Sequence, residues 1–295
     1  MMKNASAADT RARLLAWACL LPGVVFLGAL FAGPLLWSLA GSLGLDQGLA
    51  GFTLEHYAQI FTRPALRSGL LVSIYYGVAP VLVTLVLSIG LALLLRRHFR
   101  GRAWFNGLYK IPMAVPGIIA ALIVMTLAER GGFLDRLAAP FGLALPRLVR
   151  DPWGVGVILT SVWKQLPFMT LVITGAFAAI PQEVSHAART LGAGRWRTLL
   201  WVELPMALPG ISAAVLLTFI GTMGSFAIPD LVGPPSPRPL AVHMYAEFGS
   251  GHLPLVYAIG MLLSAFAVAV LLGYYALSAR AARLLGGSAR KDDHE

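Results

Sequence analysis

Six apolar runs divide this chain, and several reach the roughly 20 residues that a helix needs to cross a lipid bilayer. They occupy 14–39, 69–95, 111–127, 154–180, 211–228 and 255–277. Such runs leave little room for a soluble core. The 295 residues are 58% hydrophobic and only 12% charged, a balance foreign to soluble globular domains. The first run is longer than the core of a signal peptide and continues through Pro34-Leu35-Leu36-Trp37, so it reads as an uncleaved helix. The expected fold is therefore an all-α membrane protein of six transmembrane helices. Residues 1–13 form a polar N-terminus, 14–279 the membrane domain and 280–295 a basic tail. Between the first two runs, Tyr57, Ile60 and Phe61 suggest a short surface helix. The stretches 129–153 and 229–254 read as loops, the second rich in proline.

Charge placement orients the spans. With six spans, both termini, the 96–110 loop and the 181–210 segment share one side, and these hold 15 of the 23 Lys and Arg residues. The other 8 lie in the opposite loops or at Lys164, and acidic residues largely balance them. Cytoplasmic segments retain excess Lys and Arg, so the first group is expected to be cytoplasmic. The net charge of +10 thus belongs to membrane topology. No basic block interleaved with aromatics offers a nucleic-acid surface.

One interior stretch is neither apolar enough to span nor loose enough to be a linker: Ile180–Ile211, IPQEVSHAARTLGAGRWRTLLWVELPMALPGI. After Pro181, a helical period places Val184, Ala187, Ala188 and Leu191 on one face, with Glu183, His186 and Arg189 off it. Gly192 and Gly194 break this helix. A second carries Trp196, Leu199 and Leu200, and Leu204-Pro205 is expected to end it. An amphipathic helix lying flat on the membrane is the alternative.

Ala187-Ala188, three residues, Gly192, nine residues, then Val202-Glu203-Leu204-Pro205 resembles the EAA loop of ATP-binding-cassette importer permeases, and Pro209-Gly210-Ile211 continues that pattern. His186 stands where the family most often has Glu, while Glu183 keeps an earlier acidic position. The run 224–248 resembles more loosely the branch serving polyamine, iron, thiamine or phosphonate importers. The resemblance implies a MetI-like permease architecture in a bacterial inner membrane, with the loop at 181–210 as a cytoplasmic coupling helix. It also implies two ATPase subunits that carry ATP and Mg, a second permease subunit, commonly a different chain, and a periplasmic or extracellular substrate-binding protein. Glu183, His186, Ala187, Ala188, Gly192, Ala193, Leu204 and Pro205 would then meet or position the ATPase, and the solute would be small and polar, such as a polyamine.

The chain shows no chemistry of its own. It lacks Gly-x4-Gly-Lys-Ser/Thr, His-Glu-x-x-His, Gly-x-Ser-x-Gly and any Cys/His cluster with metal spacing, so no enzyme activity, cofactor or metal is expected on it. The single cysteine, Cys19, precludes an intrachain disulfide. Two places could line a solute path. Lys164-Gln165 lies within the fourth run, where a charge is costly and often functional, unless it reaches the outer interface. In the fifth run Gly221, Thr222, Gly224 and Ser225 make a small polar face, suited equally to a cavity or to close helix packing. Proline at Pro112 and Pro116 suits a helix beside a cavity and equally a simple helix start. A secondary transporter without an ATPase is the main rival. It would usually show internal repeats with paired broken helices and ionisable groups for ion coupling, and neither is evident here.

Overall fold

In a computed structural model, residues 2–45, 51–143 and 146–286 are described, with side chains over 15–276 of these. Among them there are helices and no strands. In chain order they are α1 (Met2–Ser42), α2 (Glu55–Thr62), α3 (Pro64–Leu95), α4 (Arg102–Leu108), α5 (Ile111–Ala114), α6 (Gly117–Ala128) and α7 (Phe133–Ala138). Then come α8 (Val155–Ala178), α9 (Gln182–Thr190), α10 (Arg195–Thr198), α11 (Leu204–Met223), α12 (Ala227–Val232), α13 (Leu240–Gly249) and α14 (Leu253–Gly286). Six segments are long and apolar enough to cross a membrane: Leu15–Ser42, Pro64–Leu95, Gly117–Phe141, Val155–Ala178, Arg195–Met223 and Leu253–Ala276. The tail beyond 286 lies outside the described residues.

The core is built from α3, α8 and α11. Val81 and Ala92 of α3 meet Met169, Ile173 and Phe177 of α8 and Ala207, Ile211, Ala214 and Phe219 of α11. Small residues set the closeness of these crossings, because a bilayer offers no hydrophobic gain for helix contact and packing must supply it. At Gly210 a Cβ would collide with Ala176 of α8. By contrast α1 packs chiefly on α14, and its side chains from Leu15 to Leu36 are exposed, as suits a helix covered by lipid.

Several expected boundaries shift. The helix carrying Tyr57 is present as α2, but it is an anchor: Ile60 is fully buried with Leu240 and Ile259, and the Tyr57 and Ser42 hydroxyls lie 2.8 Å apart. The two expected loops contain α7, α12 and α13, because Leu240, Ala241 and Val242 find apolar cover. The third run is broken. Val115, held extended before Pro116, separates α5 from α6, as the steric limits on a residue preceding proline require. The fifth span starts earlier than 211 and ends at Met223, so Pro229 falls inside α12 instead of closing it.

Candidate functional site: the coupling loop

α9 begins directly after Pro181, with Glu183 in its first turn and Arg189 in its last, each charge matched to its end of the helix dipole. It ends in a Schellman motif. Gly192 takes φ +85°, its N–H donates to the Arg189 carbonyl (2.9 Å), and the Ala193 N–H donates to the Ala188 carbonyl (3.0 Å). The spacing Ala188-x3-Gly192-Ala193 is thus the spacing that closes this helix.

The chain then turns back through α10 into a single π-helical turn, Leu199–Glu203, which leads without interruption into α11. Leu204-Pro205 therefore does not end the second helix as expected. Pro205 sits in the first turn of α11, where its missing N–H is tolerated once the π turn has widened the ladder ahead of it.

The loop's inner face is Val184, Ser185 and Ala188, half-buried, while Glu183, His186, Ala187 and Arg189 are exposed. The expected apolar face is only half right: Ala187 and Leu191 point outward, Leu191 with 89% of its surface free. Trp196 is also exposed. The Glu183 and His186 side chains reach no partner among the described residues.

What holds the loop to the spans is a contact that the sequence reading missed. Glu203, 6% exposed, receives two hydrogen bonds from the Arg96 guanidinium (2.6 and 3.4 Å) and one from the Ser185 hydroxyl (2.8 Å). Arg96 caps the C-terminus of α3 and lies 5.3 Å from the Phe177 ring centroid of α8. One carboxylate so joins α9, α3 and the start of α11, with α8 beneath. The available signal was a lone Glu in an apolar helix start and an Arg straight after an apolar run.

The path residues separate. Lys164 lies nine residues into α8, about 13 Å from its start. Its Nζ donates to the Val115 carbonyl (2.7 Å), supplying the hydrogen bond that the α5–α6 break removes. Gln165 faces Gly221 of α11. Thr222 is buried, its hydroxyl within reach of the Gly77 (3.2 Å) and Thr218 (3.0 Å) carbonyls. It serves α3–α11 packing in this conformation, so the expected polar face loses that member. Ser225 is half-buried beyond the end of α11. Among the described residues no cluster of three or more His, Cys, Asp or Glu could hold a metal.

Residues 84–283, which include α8 to α13 and most of α14, match the family model described as binding-protein-dependent transport system inner membrane component. The chain belongs to this family. Among curated relatives, the molybdenum transport system permease protein ModB of Escherichia coli K12 is 32% identical over 169 residues, covering 57% of this chain and 71% of that protein. The inner membrane ABC transporter permease protein YdcU of the same strain is 29% identical over 255 residues, covering 80% and 79%. A chain of a bacterial alginate ABC transporter, solved with an alginate pentasaccharide-bound periplasmic protein, superposes with a TM-score of 0.77 at 18% identity, covering 92% and 96%. That likeness establishes the MetI-like permease fold. The chain is thus a multi-pass inner-membrane permease of the ABC class, and its relatives are transport proteins, not enzymes.

Proposed function

We propose that this permease forms half of a solute path in an ABC importer and couples it to ATPase subunits through the 181–210 loop. The observation that carries this reading is the loop itself: a helix with an outward face of Glu183, His186, Ala187 and Leu191, latched by Glu203 to the ends of α3 and α11. A partner gripping that face would move α3 and α11 with it. In this reading both termini and the loop are cytoplasmic. Two ATPase subunits bind ATP and Mg there, a second permease completes the path, and a binding protein delivers solute on the other side. Small Ala187 and Ala188 admit close approach. His186, in place of an acid, leaves Glu183 to carry any ion pair, whose loss costs only about 0–1 kcal/mol at an exposed site.

For the solute, two observations favour an anion over the polyamine suggested by 224–248. In this reading Lys164, well inside α8, faces the path, where its cation attracts anions and repels polyamines. ModB, the relative described above, is named for molybdenum transport. Gln165 and Ser225 would offer further polar contacts along the same path.

Purification from native membranes in mild detergent tests the class. An ATPase recovered in about twofold excess over this chain, with a second permease, is the expected outcome. Recovery alone, even after cross-linking, would point to a secondary transporter instead. In proteoliposomes of the assembled transporter, uptake of molybdate and sulfate is then compared with uptake of putrescine. Lys164→Met should weaken oxyanion uptake at least tenfold while Lys164→Arg retains most of it; faster putrescine uptake by the unaltered protein would sink the anion reading.

A further inference from the structure

A pocket of about 490 Å³ opens beside the 181–210 loop, between the end of span two and the start of span five. Four guanidinium groups line it: Arg96 and Arg97, which follow the last residue of α3, and Arg189 and Arg195 from the loop. Glu203 is the one acid present, and Arg96 already engages it. Arg97, Arg189 and Arg195 have no ion-pair partner among the described residues. Four guanidinium groups thus face a single carboxylate, which Arg189 also feels, and the excess positive charge is a cost that an entering anion would relieve. Leu93, Leu199 and the Trp196 ring supply an apolar floor.

We propose that this pocket binds the phosphate of an anionic phospholipid. Guanidinium groups pair with phosphate oxygens through two parallel N–H donors. The position selects the lipid source: Arg97 lies two residues past the end of its span and Arg195 is the first residue of its own, near the depth of a phosphodiester, and an indole prefers the same layer. The apolar floor suits the glycerol and first acyl carbons, which a soluble phosphate lacks. Because Arg96 lines the same pocket, a bound phosphate sits beside the Arg96–Glu203–Ser185 latch. The site rests on the transmembrane reading of α3 and α11; Arg189, Arg195, Trp196 and Leu199 belong to the loop proposed to meet the ATPase, so the chain is tested without it.

Native mass spectrometry of the purified full chain, titrated with phosphatidylglycerol and with phosphatidylcholine, tests it. The unaltered protein should retain phosphatidylglycerol preferentially. Each surface cation contributes about fivefold to such binding, so Arg97→Gln/Arg195→Gln should lose about thirtyfold. Arg97→Lys/Arg195→Lys should recover most of the loss, and Arg130→Gln/Arg136→Gln, in a separate pocket, should change nothing. Thermal melts confirm that the variants fold. Equal retention of both lipids, or an equal loss in the Arg130/Arg136 pair, overturns the site. Displacement of the lipid by inorganic phosphate at matched concentration keeps the phosphate chemistry but overturns the lipid source. Unchanged lipid retention with loss of a co-purifying ATPase assigns the pocket to protein contact and overturns the proposal.

Discussion

Glu203 is the residue whose surroundings most restrict it. A carboxylate 6% exposed is stable only while its hydrogen-bond donors stay in place, since stripping a partner from a buried charge leaves the desolvation cost uncompensated. The Arg96 side chain keeps 36% of its surface, so the penalty falls below that of a fully buried pair. Arg96→Met should cost about 1–3 kcal/mol, read as a lower melting temperature in detergent. Glu203→Gln should cost a comparable amount, because the amide keeps one acceptor oxygen for Ser185 and turns an N–H donor toward the Arg96 guanidinium. Combining Arg96→Met with Glu203→Leu should restore part of the stability but leave coupling of ATP turnover to transport impaired; additive losses would show the pair to be energetically unconnected. Gly192 is restricted by backbone, not charge. At φ +85° an alanine is strained by about 1–2 kcal/mol, and Gly192→Ala should loosen the end of α9, visible as faster amide exchange at Ala193 with the spans unchanged.

At the scale of elements, α13 carries a pH-sensitive contact. Half-buried His243 packs where α13 crosses α3 near Gly69. Burial, reinforced by Arg238 and opposed by Glu247, lowers its pKa below the usual histidine range. The unfolded chain then binds a proton more readily than the folded one, so stability from this contact is present above the ordinary histidine pKa and is lost as pH falls below it. Acidification from pH 7 to 5 should speed amide exchange in α13, and His243→Gln should flatten that dependence. An unchanged profile in the variant would place the sensitivity elsewhere. The legible features were those with local causes. Spans showed as apolar length, and the closure of α9 showed as Gly192 at fixed spacing. Features made by partners distant in sequence did not show. The Arg96–Glu203 pair joins residues 107 apart, and the α5–α6 break is sustained by a lysine 49 residues away. α12 and α13 were hidden among prolines whose neighbours become buried only once α6 and α8, for α12, and α3 and α14, for α13, are in place. Outward-facing Leu191 misled for a different reason: periodicity marks an apolar position without saying whether this chain or a partner covers it.

At the scale of the whole molecule, the fold separates a working core from a lipid-facing attachment. α3, α8 and α11 share one apolar core, and the 181–210 loop is tied to the same three helices through Glu203, Arg96 and Phe177. α1 takes no part in it. Its spanning window buries nothing against the rest of the described protein, and its clearest attachments are at its C-terminal end, where Gly41 lies against the Tyr257 ring and Ser42 meets Tyr57. A bilayer, unlike water, imposes no penalty for removing an apolar helix from an apolar surface, because lipid tails replace it. Deleting 2–42 should therefore leave the core melting transition within a few degrees of the full chain and leave recovery of the ATPase intact. Its effect should fall on α14, the helix it covers, and on the α2 contact through Tyr57. Measured as detergent melting together with co-purification, loss of the ATPase from an otherwise folded truncated chain would mean that α1 transmits force to the loop by a route the core packing does not contain.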